Sequence, residues 1–252
     1  MDKAFFFLLV TLVFGHILGD FLFQTTKDVQ NKHKFKILLK HSATVGFLSY
    51  VVTGVPGCWP IMVLVAAAHF LIDLGKAIAK RFWQEQELFL FFLDQAAHLL
   101  SMVLISWALL GYCPSMCSKV WWSDKIGLWY LKAVITIGGF ILSVRAGAMI
   151  MEMAVRPFLL QLKRDGFAPR NGLENGGRFI GQLERALIYL FILAGQPGAT
   201  GFLIAAKSIL RFGEIKDGEN RMEAEYIIIG TLMSFFLGLL IAFGAQKLLQ
   251  LC

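Results

Sequence analysis

The chain has 252 residues, of which 57% are hydrophobic and 16% are charged, and its mean hydropathy of +0.66 is higher than that of ordinary soluble domains. The apolar residues come in runs of about 20, the length at which a helix spans a bilayer, so an ordinary soluble fold is excluded. The net charge of +7 lies in short segments between these runs and accompanies no nucleic-acid-binding motif, which excludes nucleic acid as a partner.

Hydropathy along the chain predicts an all-α, polytopic transmembrane helical bundle with about eight spans. In chain order the predicted spans cover residues 4–23, 37–55, 60–79, 88–111, 127–149, 184–196, 199–212 and 225–248. The sixth and seventh are short and meet at Gly195-Gln196-Pro197-Gly198, so two crossing helices and one re-entrant pair remain alternatives. This pattern divides the chain into a four-helix half (1–112), an outer loop (113–126) and a second membrane half (127–252) with a basic cytoplasmic loop (145–183).

The distribution of Lys and Arg predicts which side of the membrane each connection faces. Basic residues cluster in the first, third and fifth connections, around Lys36, Lys80 and Arg164, and by the positive-inside rule these connections face the cytoplasm. Both termini are then periplasmic, and we expect a multi-pass protein of a bacterial inner membrane. All the cysteines fall on the predicted outer side of the membrane, and an oxidising periplasm permits disulfides there. They are Cys58, Cys113, Cys117 and Cys252.

Ionisable residues lie inside the first four predicted spans, where a central charged side chain costs about 2.5 to 3.5 kcal/mol and therefore indicates a function. Three helices repeat a spacing of four residues that places a histidine and an aspartate on one helix face. The order of the two residues reverses where the chain direction reverses, so all three carboxylates share one depth near the cytoplasmic side. The cluster consists of His16, Asp20, His41, His69, Asp73, Asp94 and His98.

Four imidazoles and three carboxylates in one place are typical of a transition-metal site, since mixed nitrogen and oxygen ligands suit zinc, manganese or iron. We expect a divalent ion, zinc foremost, with manganese or iron as alternatives. Asp20 and Asp94 are the candidate catalytic residues, as a general base or as orienting partners of the imidazoles. A polar network that only fastens the helices together remains the alternative. The expected metal ligands are His16, His69 and His98 at the core, with His41 and Asp73 in addition.

Three motifs carry a family resemblance: His16-Ile-Leu-Gly-Asp-Phe-Leu-Phe-Gln24, His69-Phe-Leu-Ile-Asp-Leu-Gly-Lys76 and Asp94-Gln-Ala-Ala-His98. They are similar to motifs of the bacterial membrane family known as domain of unknown function 3307. The second half of the chain resembles the C-terminal extension of the longer members. The resemblance implies a membrane protein and brings no established activity with it. The motifs also look distantly like those of intramembrane metal-dependent hydrolases, which is an analogy.

A second polar group lies at the predicted cytoplasmic ends of the last three spans. Its basic residues indicate a phosphate-binding rim, supported by Gly176-Gly177-Arg178 before a helix start, where free N–H groups favour an anion. Snorkelling of basic side chains to the membrane interface explains the same placement without a ligand. The candidate substrate-binding residues, with one lysine from the first half, are Lys76, Arg178, Glu184, Arg185, Lys207 and Arg211.

Together these features predict an integral membrane metal-dependent hydrolase that acts on a phosphorylated lipid or similar amphiphile from the cytoplasmic leaflet. The expected partners are membrane lipid and an anionic, phosphate-bearing substrate. One alternative is a proton- or metal-coupled transporter, in which the same side chains relay protons or pass an ion. Another is a non-catalytic structural membrane protein. The oligomeric state stays open, with a homo-oligomer among the alternatives.

Overall fold

The computed structural model describes residues 3–25, 28, 29, 31, 32, 34–83, 86–112, 121–164, 175–212 and 221–252. Every regular element in these ranges is helical, which confirms the predicted all-α class. The chain forms two compact units, Met1–Gly138 with Cys252 and Gly139–Leu251. Their boundary lies inside the helix Leu128–Ile141, beyond the predicted outer loop 113–126.

Four helices of the first unit close into a ring. Helix α1 packs against α2 and α4, and α3 packs against the same two neighbours. Each helix therefore turns one face toward a common interior, where polar side chains are shielded from lipid. The four helices are α1 (Lys3–Ile17), α2 (Phe35–Thr53), α3 (Pro60–Phe82) and α4 (Glu87–Tyr112).

Local sequence sets where these helices begin and end. Helix α2 stops at Gly54, whose φ of 61° is a left-handed conformation that glycine adopts without steric cost. Helix α3 starts at Pro60, because the fixed φ of proline suits the first helical turn. Helix α1 continues into a π-helical turn, Leu18–Phe23. After α4, the first unit contains α5 (Trp121–Ile126) and the beginning of α6 (Leu128–Ile141).

Glycines let the backbones of α1, α2 and α3 approach closely. A Cβ atom on Gly15 would lie 2.6 Å from Ser49 Cα, and a Cβ atom on Gly46 would collide with the carbonyl oxygen of Met62. A larger residue at either position would push the helices apart. The apolar core around these contacts includes the buried side chains of Leu12, Val45, Ile61, Val65 and Met102.

The second unit is built from the end of α6 and the helices that follow it. Helix α8 packs against α10, and α7 packs against both. The predicted loop 145–183 is largely helical, since it contains α7 and the start of α8, while 165–174 lie outside the described residues. This basic, amphipathic segment lacks the continuous hydropathy from which the other spans are predicted. A π-helical turn (Leu142–Ala146) leads into α7 (Gly147–Arg164), α8 (Gly176–Leu193), α9 (Ala199–Phe212) and α10 (Arg221–Gln250).

Among the described residues, five helices are long and apolar enough to cross a membrane, and they indicate a membrane protein. The predicted spans 37–55, 184–196 and 199–212 correspond to α2, α8 and α9, which are outside this set. Polar and charged side chains lower the hydropathy of α2 and α8, and α9 has only 14 residues. The side of the membrane that each terminus faces stays a prediction. The five candidate spans are Lys3–Phe23, Pro60–Phe82, Glu87–Tyr112, Leu128–Leu162 and Ala224–Gln250.

Candidate metal centre

Seven buried polar side chains meet in the interior of the four-helix ring. Each is at most 8% exposed, and they come from α1 with its π-turn, α2, α3 and α4. Because a titratable group buried in an apolar bundle is costly unless it has partners, their convergence indicates one shared site. The structure brings together every member of the predicted cluster: His16, Asp20, His41, His69, Asp73, Asp94 and His98.

The shortest distances in the cluster join Asp20, His41 and His69. Asp20 Oδ1 lies 3.2 Å from His41 Nε2 and 3.4 Å from His69 Nε2, and the two Nε2 atoms lie 3.0 Å apart. A tetrahedral ion with bonds of about 2.0–2.1 Å holds its ligand atoms about 3.3–3.4 Å apart. The three atoms are therefore spaced as ligands of one small cation. Two imidazoles and one carboxylate also form a ligand set that leaves a coordination position for a reacting molecule.

The carboxylate of Asp73 faces both halves of the cluster. Its Oδ2 lies 3.7 Å from His41 Nε2 and 3.5 Å from His69 Nε2. Its Oδ1 lies 4.0 Å from His98 Nε2. The spacing of four residues on α3 puts Asp73 on the same helix face as His69, as the sequence predicts. Asp73 therefore lies between the triangle of Asp20, His41 and His69 and the side chains of α4.

On α4, Asp94 is held by one of its two oxygens. Asp94 Oδ2 accepts hydrogen bonds from Lys76 Nζ at 2.7 Å and from Gln95 Nε2 at 3.1 Å. Asp94 Oδ1 lies 3.6 Å from His98 Nε2, and neither of these two atoms has a hydrogen-bond partner among the described residues. The ring of His98 stacks on that of His69, with centroids 4.2 Å apart.

His16 is oriented by a side chain that the sequence did not single out. His16 Nε2 lies 3.2 Å from Gln95 Oε1, and since the amide oxygen can only accept, Nε2 carries the proton. That tautomer leaves the lone pair on Nδ1, which lies 3.9 Å from Asp20 Oδ1. Gln95 thus connects Asp94 and His16, and its position beside Asp94 was the available sequence signal.

A lysine from the connection between α1 and α2 also reaches the cluster, although its sequence position predicts a role only in membrane orientation. Lys32 Nζ lies 2.9 Å from Asp73 Oδ2 and 3.1 Å from Asp73 Oδ1, and its side chain is 18% exposed. The side chain of Lys76 is 31% exposed. The two lysines therefore bring ammonium groups from the border of the site to carboxylates in its interior.

The turn that carries Lys32 begins with a capping arrangement. Thr25 Oγ1 donates to Asp28 Oδ2 at 2.7 Å, and the Asp28 N–H donates to Thr25 Oγ1 at 3.2 Å. Hydrogen bonds from Thr25 lower the pKa of Asp28, which stays ionised at neutral pH. The Val29 N–H donates to the Thr25 carbonyl, and the Lys32 N–H donates to the Val29 carbonyl. Local backbone structure thus supports the position of Lys32.

Residues 8–123 match the model of a family described as protein of unknown function, DUF3307. This part of the chain is a DUF3307 domain. No curated protein and no solved structure matches the chain. The DUF3307 domain contains the whole cluster, from His16 to His98, together with Lys32, Lys76 and Gln95.

Outside the DUF3307 domain, the predicted phosphate-binding residues take part in several separate contacts of the second unit. Lys207 Nζ donates to Glu184 Oε2 at 2.7 Å. Arg178 lies 3.6 Å from Glu152, and both side chains are exposed, so this pair contributes little. The side chain of Arg211 lies outside the described residues. Lys76, the remaining member of the predicted rim, belongs to the DUF3307 domain and binds Asp94.

Arg185 is enclosed by the second unit and only 2% exposed. Its Nε donates to the Ser143 carbonyl at 2.8 Å, and its Nη1 donates to Ser234 Oγ at 2.7 Å. Ser143 lies in the π-helical turn, a local geometry that often accompanies functional or strained sites. A Cβ atom on Gly147 would lie 2.8 Å from Arg185 Nε, so glycine makes room for the guanidinium group. These contacts hold Arg185 in the interior rather than at a rim.

Proposed function

We propose that this protein is an integral membrane metal-dependent hydrolase that acts on a phosphorylated lipid or similar amphiphile from the cytoplasmic leaflet of a bacterial inner membrane. The observation that carries the proposal is the buried triangle of Asp20 Oδ1, His41 Nε2 and His69 Nε2, with edges of 3.0–3.4 Å. In this arrangement Asp20 acts as a ligand, and Asp73 Oδ2 is the next oxygen at hand.

The unsatisfied atoms of the cluster favour an ion over a purely structural network. A network that only fastened the helices would be expected to satisfy its own hydrogen bonds, because buried polar atoms rarely lack a partner. Four atoms of the cluster have none among the described residues: His16 Nδ1, His69 Nδ1, His98 Nε2 and Asp94 Oδ1. Ligation of an ion would account for His98 Nε2 and Asp94 Oδ1, which face each other inside the site.

The donor set suits zinc, and manganese or iron next, because it mixes imidazole nitrogen with carboxylate oxygen. Such an ion supplies Lewis-acid chemistry: it acidifies water and polarises the oxygen of a phosphoryl or acyl group. The protein's part is to hold the ligands in place, to exclude bulk water and to bring the substrate to the site.

Charge and surroundings support an amphiphilic, phosphorylated substrate. Lys32 and Lys76 bring two ammonium groups to the border of the site, and ammonium groups bind phosphate as point charges. The outer faces of α3 and α4 are apolar, with exposed side chains such as Leu71, Leu100 and Trp107, so a lipid chain meets a compatible surface beside the site.

The transporter alternative is favoured by one specific observation. Buried hydroxyl groups of Ser49 on α2 and Ser106 on α4 have no hydrogen-bond partner among the described residues, and each lies about two turns from a histidine of the cluster on the same helix. Hydroxyl groups in such positions can carry water or protons. Against this, every buried Asp, Glu, His, Lys or Arg described in the first unit belongs to the cluster itself.

Elemental analysis of the purified full-length protein tests the proposal. The wild type is expected to retain a transition metal near stoichiometry, and His41→Ala and His69→Ala are expected to lose most of it. Ser42→Ala is the matched control, because Ser42 is next to His41, is also buried and donates a hydrogen bond to the Leu38 carbonyl. The alanine variants at histidine should also lose hydrolysis of a polyprenyl phosphate or phospholipid by about a hundredfold or more.

Two results would contradict the proposal. A wild type that binds no transition metal after purification and reloading would leave the cluster as a polar network. Metal or proton flux in sealed vesicles, with no hydrolysis of either lipid class, would identify a transporter.

A further inference from the structure

We infer that the site holds two ions, with a second cation position formed by Asp73 Oδ1, Asp94 Oδ1 and His98 Nε2, and with the Asp73 carboxylate bridging the two. This inference rests on the proposed function, because the first ion is the one bound by Asp20, His41 and His69. It also gives Asp94 the role of a ligand instead of a general base.

The three atoms of the second position are close enough for one ion. His98 Nε2 lies 3.6 Å from Asp94 Oδ1 and 4.0 Å from Asp73 Oδ1, and all three residues offer atoms within 4.8 Å of one another. Ligands of a small cation lie between about 3.4 Å apart in a tetrahedron and about 4.2 Å apart across an octahedron, for bonds of about 2.1 Å. The two distances from His98 Nε2, 3.6 and 4.0 Å, fall in that interval.

An independent sign of a ligand comes from the atoms that have no partner. His98 Nε2 and Asp94 Oδ1 are fully buried, face each other and have no hydrogen bond among the described residues. Lys76 and Gln95 hold the other oxygen of Asp94, so the carboxylate is fixed with Oδ1 toward His98. A carboxylate oriented in this way by two donors is typical of metal ligands.

The geometry of Asp73 links the two positions. Oδ2 faces His41 and His69, whereas Oδ1 faces His98. A carboxylate that offers one oxygen to each side is suited to bridge two ions about 3.5–4 Å apart, as in two-metal hydrolytic sites. Lys32 Nζ donates hydrogen bonds to both Asp73 oxygens. When the ions bind, the ammonium group either keeps these hydrogen bonds or moves toward the border of the site.

The charge balance points to the class of substrate. With neutral imidazoles, the three carboxylates of the cluster and the ammonium groups of Lys32 and Lys76 leave one net negative charge. Two divalent ions convert this to three net positive charges in a buried site, where charge is poorly screened. Such a site favours a phosphate monoester, with its two negative charges, over a singly charged diester.

The test counts ions in the full-length protein. Purified protein is stripped with a chelator, reloaded with Mn²⁺ and analysed for bound manganese per chain, together with its electron paramagnetic resonance spectrum. We expect two ions in the wild type, with the spectrum of an exchange-coupled pair, and one uncoupled ion in Asp94→Asn and His98→Ala. Ser106→Ala is the matched control on α4, because it removes an equally buried polar atom outside the two positions, and it should keep both ions.

The wild-type spectrum decides the question even if a variant fails to fold, since coupling requires two neighbouring ions. One uncoupled Mn²⁺ in the wild type, retained in Asp94→Asn and lost in His41→Ala, would overturn the second position and leave the proposed function standing. No bound Mn²⁺ would end both proposals. Loss of hydrolysis in Asp94→Asn with an unchanged count of two would make Asp94 a base and refute its role as a ligand.

Discussion

At the scale of single residues, Lys32 introduces a positive charge where the proposed ions need a negative ligand. Its ammonium group lies about as close to Asp73 as a hydrogen bond allows, at 2.9 and 3.1 Å from the two oxygens. Two unit charges of the same sign repel by about 4 kcal/mol at 4 Å and an effective dielectric of 20, and a divalent ion doubles the effect. Lys32 is therefore expected to weaken the binding of the proposed ions and to favour the proposed anionic substrate.

Lys32→Met should tighten Mn²⁺ binding by about tenfold or more, which is about 1.4 kcal/mol, because methionine keeps much of the length of the side chain without its charge. Calorimetric titration of the stripped protein measures the change. Lys36→Met is the matched control, since Lys36 is an exposed lysine nearby on α2. Equal affinities in wild type and Lys32→Met would show that Lys32 does not act on the ion.

The histidines and aspartates of the site could be predicted from the sequence, whereas Lys32 could not. A spacing of four residues identifies a shared helix face directly, as for His69 and Asp73. A long side chain in a connection gives no such signal, because its reach depends on how the connection folds back. The division of the cluster into a triangle and a second group also depends on distances of a few tenths of an ångström, which no sequence pattern records.

At the scale of helices, close packing of α2 on α3 sets the distance between His41 and His69. Gly46→Ala should lower the midpoint of thermal unfolding, because the added methyl group meets the Met62 carbonyl, and overpacking costs about 1–3 kcal/mol. Gly75→Ala is the matched control on α3, where a Cβ atom meets nothing within 4 Å. It should be neutral or stabilising by up to about 1 kcal/mol through helix propensity. Thermal melts in detergent compare the two, and equal midpoints would contradict a tight α2–α3 contact.

Hydropathy predicted where the helices of the first unit lie but not their order around the ring. Apolar runs mark each helix, because lipid requires apolar surface. Small residues such as Gly15 and Gly46 determine which helices can pack closely. Their role becomes visible only once the opposing backbone is known. The sequence also leaves the structure of α7 open, because an amphipathic segment with an internal proline is compatible with both a loop and a helix.

At the scale of the whole molecule, the predicted orientation places the end of α3 in the cytoplasm and the end of α4 outside. Phe82 and Tyr112 are both exposed, at 78% and 82%, and therefore suit introduced cysteines, whereas the native Cys58 is buried. In a background with Cys113, Cys117 and Cys252 replaced by serine, a maleimide that cannot cross membranes should label Tyr112→Cys on intact cells and should label Phe82→Cys only after permeabilisation. The basic residues beside Phe82, Lys80 and Arg81, are the physical reason. The opposite pattern would reverse the leaflet from which substrate is proposed to enter.

Because of the π-helical turn Leu18–Phe23, the geometry of the site depends on the number of residues in this part of the chain. A π-turn accommodates one residue more than an α-helical turn, so it is equivalent to an insertion within α1. Deleting one residue between His16 and Asp20 would restore an α-helix there and shorten their spacing from four residues to three. His16 lies before this turn, and Asp20 lies within it. A change that removes no ligand would thus shift Asp20 relative to His16, so the number of residues in this turn affects the site as well as their identity.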